Sequence, residues 1–239
     1  MTDYQAPSVP LLLAELRSLL TLAGYGVKGL DLAGLPRGQG QPIMLIPGFG
    51  ATDKAMAPLR KALTALGYQA YGWQAGRNLG MKAATRSHLE QHLKSLAERH
   101  QQPVVLIGWS LGGVFARELA RAFPEQVAQV FSLGSPISGH PNANNVTTLF
   151  ALTNPKARQA PDMEAFRRRE QAPPVPCVAI YSKSDGIVSW RASQELPADN
   201  TENVQVKGPH TGFPWNPQVL AAIARRLPGA SNRITEEQQ

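Results

Sequence analysis

"IGWSLGGVFARELA", Ile107 to Ala120, decides how the rest of the chain is read. The stretch leading into it, "PVVLIG" (103–108), is short, β-branched and uncharged, as expected of a strand buried on both faces. The stretch leading out, "LGGVFARELARAF" (111–123), carries apolar residues at helical spacing and stops at Pro124. Ser110 therefore stands on a strand-to-helix turn, with Gly108 and Gly112 two positions to either side. A side chain there is lifted above the end of a sheet only if its backbone takes up a strained conformation. Small residues at 108 and 112 let strand and helix approach without collision, and the helix N-terminus favours negative charge above the hydroxyl. G-x-S-x-G is common by chance, but between a buried strand and an amphipathic helix it predicts a nucleophile at Ser110.

Working outward, strand-like and helix-like segments alternate. "IMLIPG" (43–48) reads as a strand, "DKAMAPLRKALTALG" (53–67) as a helix despite Pro58, and "YQAYGW" (68–73) as a strand. "ATRSHLEQHLKSLAERH" (84–100) is helical, followed by the strand before Ser110. After the central helix come the strands "VAQVFSLGS" (127–135), "VPCVAIYS" (175–182) and "ENVQVKG" (202–208), then the helix "NPQVLAAIARRL" (216–227). Upstream, "SVPLLLAELRSLLTLAGYG" (8–26) reads as a helix capped by Ser8 and stopped by Gly24 or Gly26. Its leucines cover much of the circumference, so it packs on the body. This pattern predicts one α/β domain over 1–227: a mostly parallel sheet with helices on both faces and functional groups at the carboxyl ends of the strands. Residues 137–174 break the rhythm with Asn, Pro and Arg and read as a lid-like insertion; the polar tail 228–239 is expected to be disordered.

Composition excludes more than it assigns. The chain has 239 residues, long enough to bury roughly 70 % of its unfolded surface. The net charge of +7 is spread over scattered arginines, apart from "FRRRE" (166–170), with no aromatic-and-basic stripe, so no nucleic-acid partner is expected. Cys177 is the sole cysteine and, within "PPVPCVAIY", reads as a buried strand residue, which rules out an intrachain disulfide and a cysteine-rich metal site. The beginning of the sequence has neither a basic n-region nor an apolar run long enough for a signal peptide or membrane span, so a soluble cytoplasmic protein is expected. "GYGVKG" (24–29) fits G-x-G-x-x-G only in letters, since it ends a helix where the dinucleotide motif follows a strand. "HLEQH" (88–92) sets two histidines four apart, but Glu90 is one position late for H-E-x-x-H, and a solvated helix face is the expected reading.

A serine nucleophile needs a base, an acid to orient it, and donors for the oxyanion. Of the five histidines, His210 in "VKGPHTGFPW" follows the last strand and reaches the same sheet edge as Ser110, whereas His140 sits in the insertion. Asp185 in "AIYSKSDGIVSW" lies just beyond a strand, which gives the order Ser110, Asp185, His210. The Gly-rich turn in "LIPGFGATD" (45–53) offers the amide of Phe49 as a donor beside that of Leu111. "GWQAGRNLG" (72–80) falls near the site edge, where Arg77 and Asn78 are expected to do no more than fix a loop.

These residues carry a resemblance. "PGFG" (47–50), "GWSLGG" (108–113), "LGSPISG" (133–139), "SKSDGIV" (182–188) and "PHTGF" (209–213) are similar to segments of the α/β-hydrolase superfamily, especially its lipase and esterase branch, over Ile43 to Leu227. The resemblance implies Ser110 as nucleophile, Asp185 as acid, His210 as base, and oxyanion amides from Phe49 and Leu111, with no metal or organic cofactor. Trp109, Leu149, Phe150 and Leu152 are the expected pocket residues. Two features depart from the family pattern: Pro47-Gly48 replaces the frequent His-Gly, and the two strands that usually open the sheet are missing, which predicts a trimmed sheet of about six strands. The function so implied is hydrolysis of a small or lipid-like carboxylic ester through an acyl-enzyme. Transfer of that acyl group to another acceptor is the alternative, and a non-catalytic ligand-binding homologue the reading from another class.

Overall fold

The computed structural model describes residues 6–15, 30–138 and 168–229. Most of the expected insertion, the expected helix beyond residue 15 and the tail from 230 lie outside the described residues, as do His140, Leu149, Phe150 and Leu152.

Six strands form one sheet: β1 (Pro42–Ile46), β2 (Gln69–Gly72), β3 (Val104–Trp109), β4 (Val127–Leu133), β5 (Cys177–Ser182) and β6 (Thr201–Val206). Their order is β2-β1-β3-β4-β5-β6, and each neighbouring pair is parallel. The helices are α1 (Asp53–Ala65), α2 (Ala83–His100), α3 (Leu111–Ala122) and α4 (Pro217–Ala224). Residues 9–15 are also helical. The parallel sheet of about six strands expected from sequence is therefore what forms.

Period-two alternation assigns each strand residue to a face. Ile43 and Leu45 of β1 join Met56, Leu59 and Leu63 of α1 and Val219, Leu220 and Ile223 of α4 in one core. Met44 and Ile46 point the other way, into a second core with Leu89 and Leu93 of α2 and Phe115 and Leu119 of α3. Each such side chain contributes about 1.5–3 kcal/mol by leaving water, which explains why β1 and β3 read as nearly continuous apolar runs. Thr52 caps α1, its hydroxyl accepting from the Lys54 amide, and α1 runs through Pro58 without a break. Asn216 caps α4 by accepting from the Gln218 amide. No helix among the described residues is long and apolar enough to cross a membrane.

The strand order places the site. From β1 the chain enters α1 on one face on its way to β2, and from β3 it enters α3 on the opposite face. The two departing segments take opposite faces, which makes the carboxyl edge between β1 and β3 a switch point of the kind at which open parallel sheets bind ligands. The turn after β1 and Ser110 after β3 flank it.

Candidate active site

Ser110 occupies the turn between β3 and α3 at φ 55° and ψ −122°, in the left-handed region that costs a non-glycine residue about 1–3 kcal/mol. The surroundings hold it there. Its amide donates to the Leu133 carbonyl at 2.8 Å, and its carbonyl accepts from the Gly113 amide at 3.0 Å. The flanking glycines are there because nothing larger fits. A Cβ on Gly108 would strike the backbone of Gly112 and Gly113, and one on Gly112 would come within 2.7 Å of the Pro47 carbonyl oxygen. Gly113 is closed in the same way by Ser135, and a Cβ on Gly48 would sit 3.1 Å from Ser110 Cβ. Strand, elbow helix and the turn after β1 are thus pressed together around the serine.

Asp185, just past β5, and His210, just past β6, meet at the same edge. His210 Nδ1 lies 2.7 Å from Asp185 Oδ2, and because a carboxylate only accepts, the proton on Nδ1 points at it. Asp185 Oδ1 is held in turn by the amides of Ile187 and Val188, both at 2.8 Å. Burial pulls the His210 imidazole down, but the charge of Asp185, the hydrogen bond to it and the charge of Glu15 outweigh that and hold it above the ordinary histidine value. Residues His210–Trp215 form a 3-10 helix that starts at the histidine itself. Trp109 fixes its start, the indole N–H donating to the His210 carbonyl at 3.1 Å, with ring centroids 5.7 Å apart. Gly134, next to the Leu133 carbonyl that holds Ser110, lies against the pair: a Cβ there would be 3.0 Å from both Asp185 Oδ2 and His210 Nδ1. Gly134 thus lies against the Asp185–His210 pair on one side and follows the residue bonded to Ser110 on the other.

Arg77 and Asn78 anchor the turn after β1. Asn78 is fully buried; its side-chain amide donates to the Pro47 carbonyl at 2.8 Å, and its backbone exchanges hydrogen bonds with Gly50 and Ala51. Arg77 Nη1 donates to the Gly50 carbonyl at 2.6 Å. Phe49 lies between Gly48 and Gly50 in this braced turn, and Leu111 is the first residue of α3.

Other candidates are spent elsewhere. His88 and His92 donate to the carbonyls of Trp73 and Gly72, each at 3.0 Å, so "HLEQH" ties α2 to the end of β2. Burial pushes the Cys177 thiol up to about 11, in keeping with a strand residue. Glu15, inside the expected N-terminal helix and not among the sequence-derived candidates, is 2 % exposed and bonded to the backbone at Gly186, His210 and Thr211.

The family model for the alpha/beta hydrolase fold matches residues 46–170, just over half of the chain. The chain belongs to that family. The matched region takes in Phe49 and Ser110 and ends before Asp185 and His210, which the fold of this α/β-hydrolase sets beyond β5 and β6 at the same sheet edge. The pimeloyl-[acyl-carrier protein] methyl ester esterase of Shewanella woodyi is 26 % identical over 98 residues, covering 41 % of this chain and 37 % of that protein. Among solved structures, a soluble variant of monoglyceride lipase from Saccharomyces cerevisiae superposes with a TM-score of 0.58 at 15 % identity, covering 80 % of this chain and 87 % of the other. The monoacylglycerol lipase of Paleococcus ferrophilus gives 0.55 at 17 % identity over 78 % of this chain and 95 % of its own.

Proposed function

We propose that this α/β-hydrolase cleaves carboxylic esters through an acyl-enzyme on Ser110. One observation carries the reading: the buried Asp185–His210 hydrogen bond lies at the sheet edge where Ser110 is held in a strained turn. In the first step Ser110 Oγ attacks the ester carbonyl carbon while its proton passes to His210 Nε2. The carbonyl electron pair moves onto oxygen, where the amides of Phe49 and Leu111 receive it, aided by the N-terminus of α3. Collapse restores the carbonyl, breaks the bond to the alkoxy oxygen and releases the alcohol with the proton from His210. Water then repeats the sequence: its proton goes to His210, its oxygen joins the acyl carbon, and Ser110 leaves with the proton as the acid departs. Asp185 keeps the ring in the tautomer that frees Nε2 and supports the imidazolium. Trp109, beside the serine, is a pocket wall for a small ester, and the esterase and lipases similar to this chain are in keeping with that substrate class.

The test is covalent. A fluorophosphonate probe followed by peptide mapping should place the adduct on Ser110, and Ser110→Ala should lose both the label and roughly 10⁴–10⁶ of kcat on p-nitrophenyl acetate. Folded protein that takes no label removes the proposal.

A further inference from the structure

We infer that Glu15 is a positioning residue, clamping the acid turn and the base turn together so that the helix at residues 9–15 is part of the catalytic apparatus. This rests on the ester-hydrolase reading of the site. The carboxylate accepts four hydrogen bonds: Oε1 from the amides of Gly186 at 2.9 Å and His210 at 2.6 Å, Oε2 from the Thr211 amide at 2.9 Å and the Thr211 hydroxyl at 2.8 Å. Gly186 directly follows Asp185, so one oxygen spans the residue after the acid and the base itself. Among the described residues these partners are three backbone amides and one hydroxyl, so a buried carboxylate is satisfied by the two turns. The helix lies hard against the acid turn. A Cβ on Gly186 would fall within 2.8 Å of the Leu12 nitrogen and still closer to the Leu11 carbonyl, so glycine admits the helix backbone there.

Glu15 acts on the imidazole in a second way. Among the described residues, the charged groups facing His210 are Asp185 from the turn after β5 and Glu15 from the N-terminal helix, while Trp109 and Phe213 present uncharged rings. Asp185 contacts the ring and Glu15 holds the backbone beneath it. Removing either charge weakens the hold on the imidazolium.

Glu15→Gln in the full chain separates this role from simple packing. The glutamine keeps the shape but turns one acceptor oxygen into an amide donor facing other donors. Three readouts apply: the NMR titration of His210, kcat and KM on p-nitrophenyl acetate, and the melting temperature. The expected result is a His210 midpoint moved to lower pH and a kcat reduced by roughly 10–100-fold, the range typical of groups that orient reacting residues, with KM little changed. A variant that only melts earlier, with His210 titration and kcat as in the wild type well below its Tm, overturns the inference. Should the variant not fold, amide exchange in the wild type decides: Gly186, His210 and Thr211 opening together supports the clamp, and exchange at free-loop rates defeats it. The titration needs no turnover, so an unlabelled Ser110 would sink the hydrolase reading while the Glu15 result stood apart.

Discussion

At Gly134 the backbone turns through φ 53° directly against the Asp185–His210 pair, with 3.0 Å between a notional Cβ and the two bonded atoms. Gly134→Ala should therefore do two things at once. The left-handed backbone costs about 1–2 kcal/mol, and the methyl pushes acid and base apart. Because displacements near 1 Å cost about 10²-fold, kcat on p-nitrophenyl acetate should fall by roughly 10–100-fold with KM nearly unchanged. Steady-state kinetics beside a melting curve checks both. Asp185→Asn should lower kcat by about 10⁴, by losing the charge and misorienting the imidazole, and should move the acid limb of the rate to lower pH. At this scale Ser110, Asp185 and His210 were legible at strand ends because each follows a strand and has a glycine within two residues, although β6, before His210, is mostly polar. Glu15 was not. Its donors lie 171 to 196 residues away, and a glutamate among helical leucines looks like any residue that faces water.

The elements themselves were written in the chain wherever burial is two-sided: β1, β3 and β5 are apolar runs and surfaced as strands. The last helix was expected to reach Leu227 but ends at Ala224, where the Arg226 amide takes the Ile223 carbonyl in a tighter turn and its guanidinium grips Glu202 at 2.7 and 2.9 Å. Arg117 was equally hidden. On α3 it reads as the polar stripe, yet it is 2 % exposed, pairs with Glu195, and donates to the carbonyls of Arg169 and Gln171. This ties the helix that follows Ser110 to the segment before β6. Arg117→Met leaves a buried carboxylate without its partner, and such losses cost about 3–5 kcal/mol. Urea midpoints should fall accordingly, while Arg117→Met combined with Glu195→Leu should recover most of the loss. A double variant no better than the single one would mean that the two backbone carbonyls, and not Glu195, are what Arg117 serves.

For the whole molecule, one proton sets stability and activity against each other. His210 sits above its ordinary value in the folded chain, so folding favours the imidazolium. That contribution is fully present below about pH 6.5 and is lost as the pH climbs through the folded value. The proposed reaction needs the neutral ring, so kcat/KM should rise over the interval in which this stability disappears. His92, which burial pushes the opposite way, contributes with opposite sign, so the comparison is wild type against His210→Gln at each pH. The difference in melting temperature should shrink from low to high pH as the wild-type rate grows; a difference independent of pH would refute it. The parallel sheet and its edge were foreseeable from the alternation of segments, whereas the joining of residue 15 to residues 186, 210 and 211 needed three-dimensional proximity to be seen. Finally, Cys177 has a consequence at the bench. It is the chain's single thiol, sealed in β5 and pushed up to about 11 by burial, so at neutral pH it stays in the unreactive thiol form. A cysteine installed at exposed Leu79, one residue from the Asn78 brace, would take a maleimide dye alone, giving a fluorescent reporter beside the turn after β1 without first deleting a native cysteine.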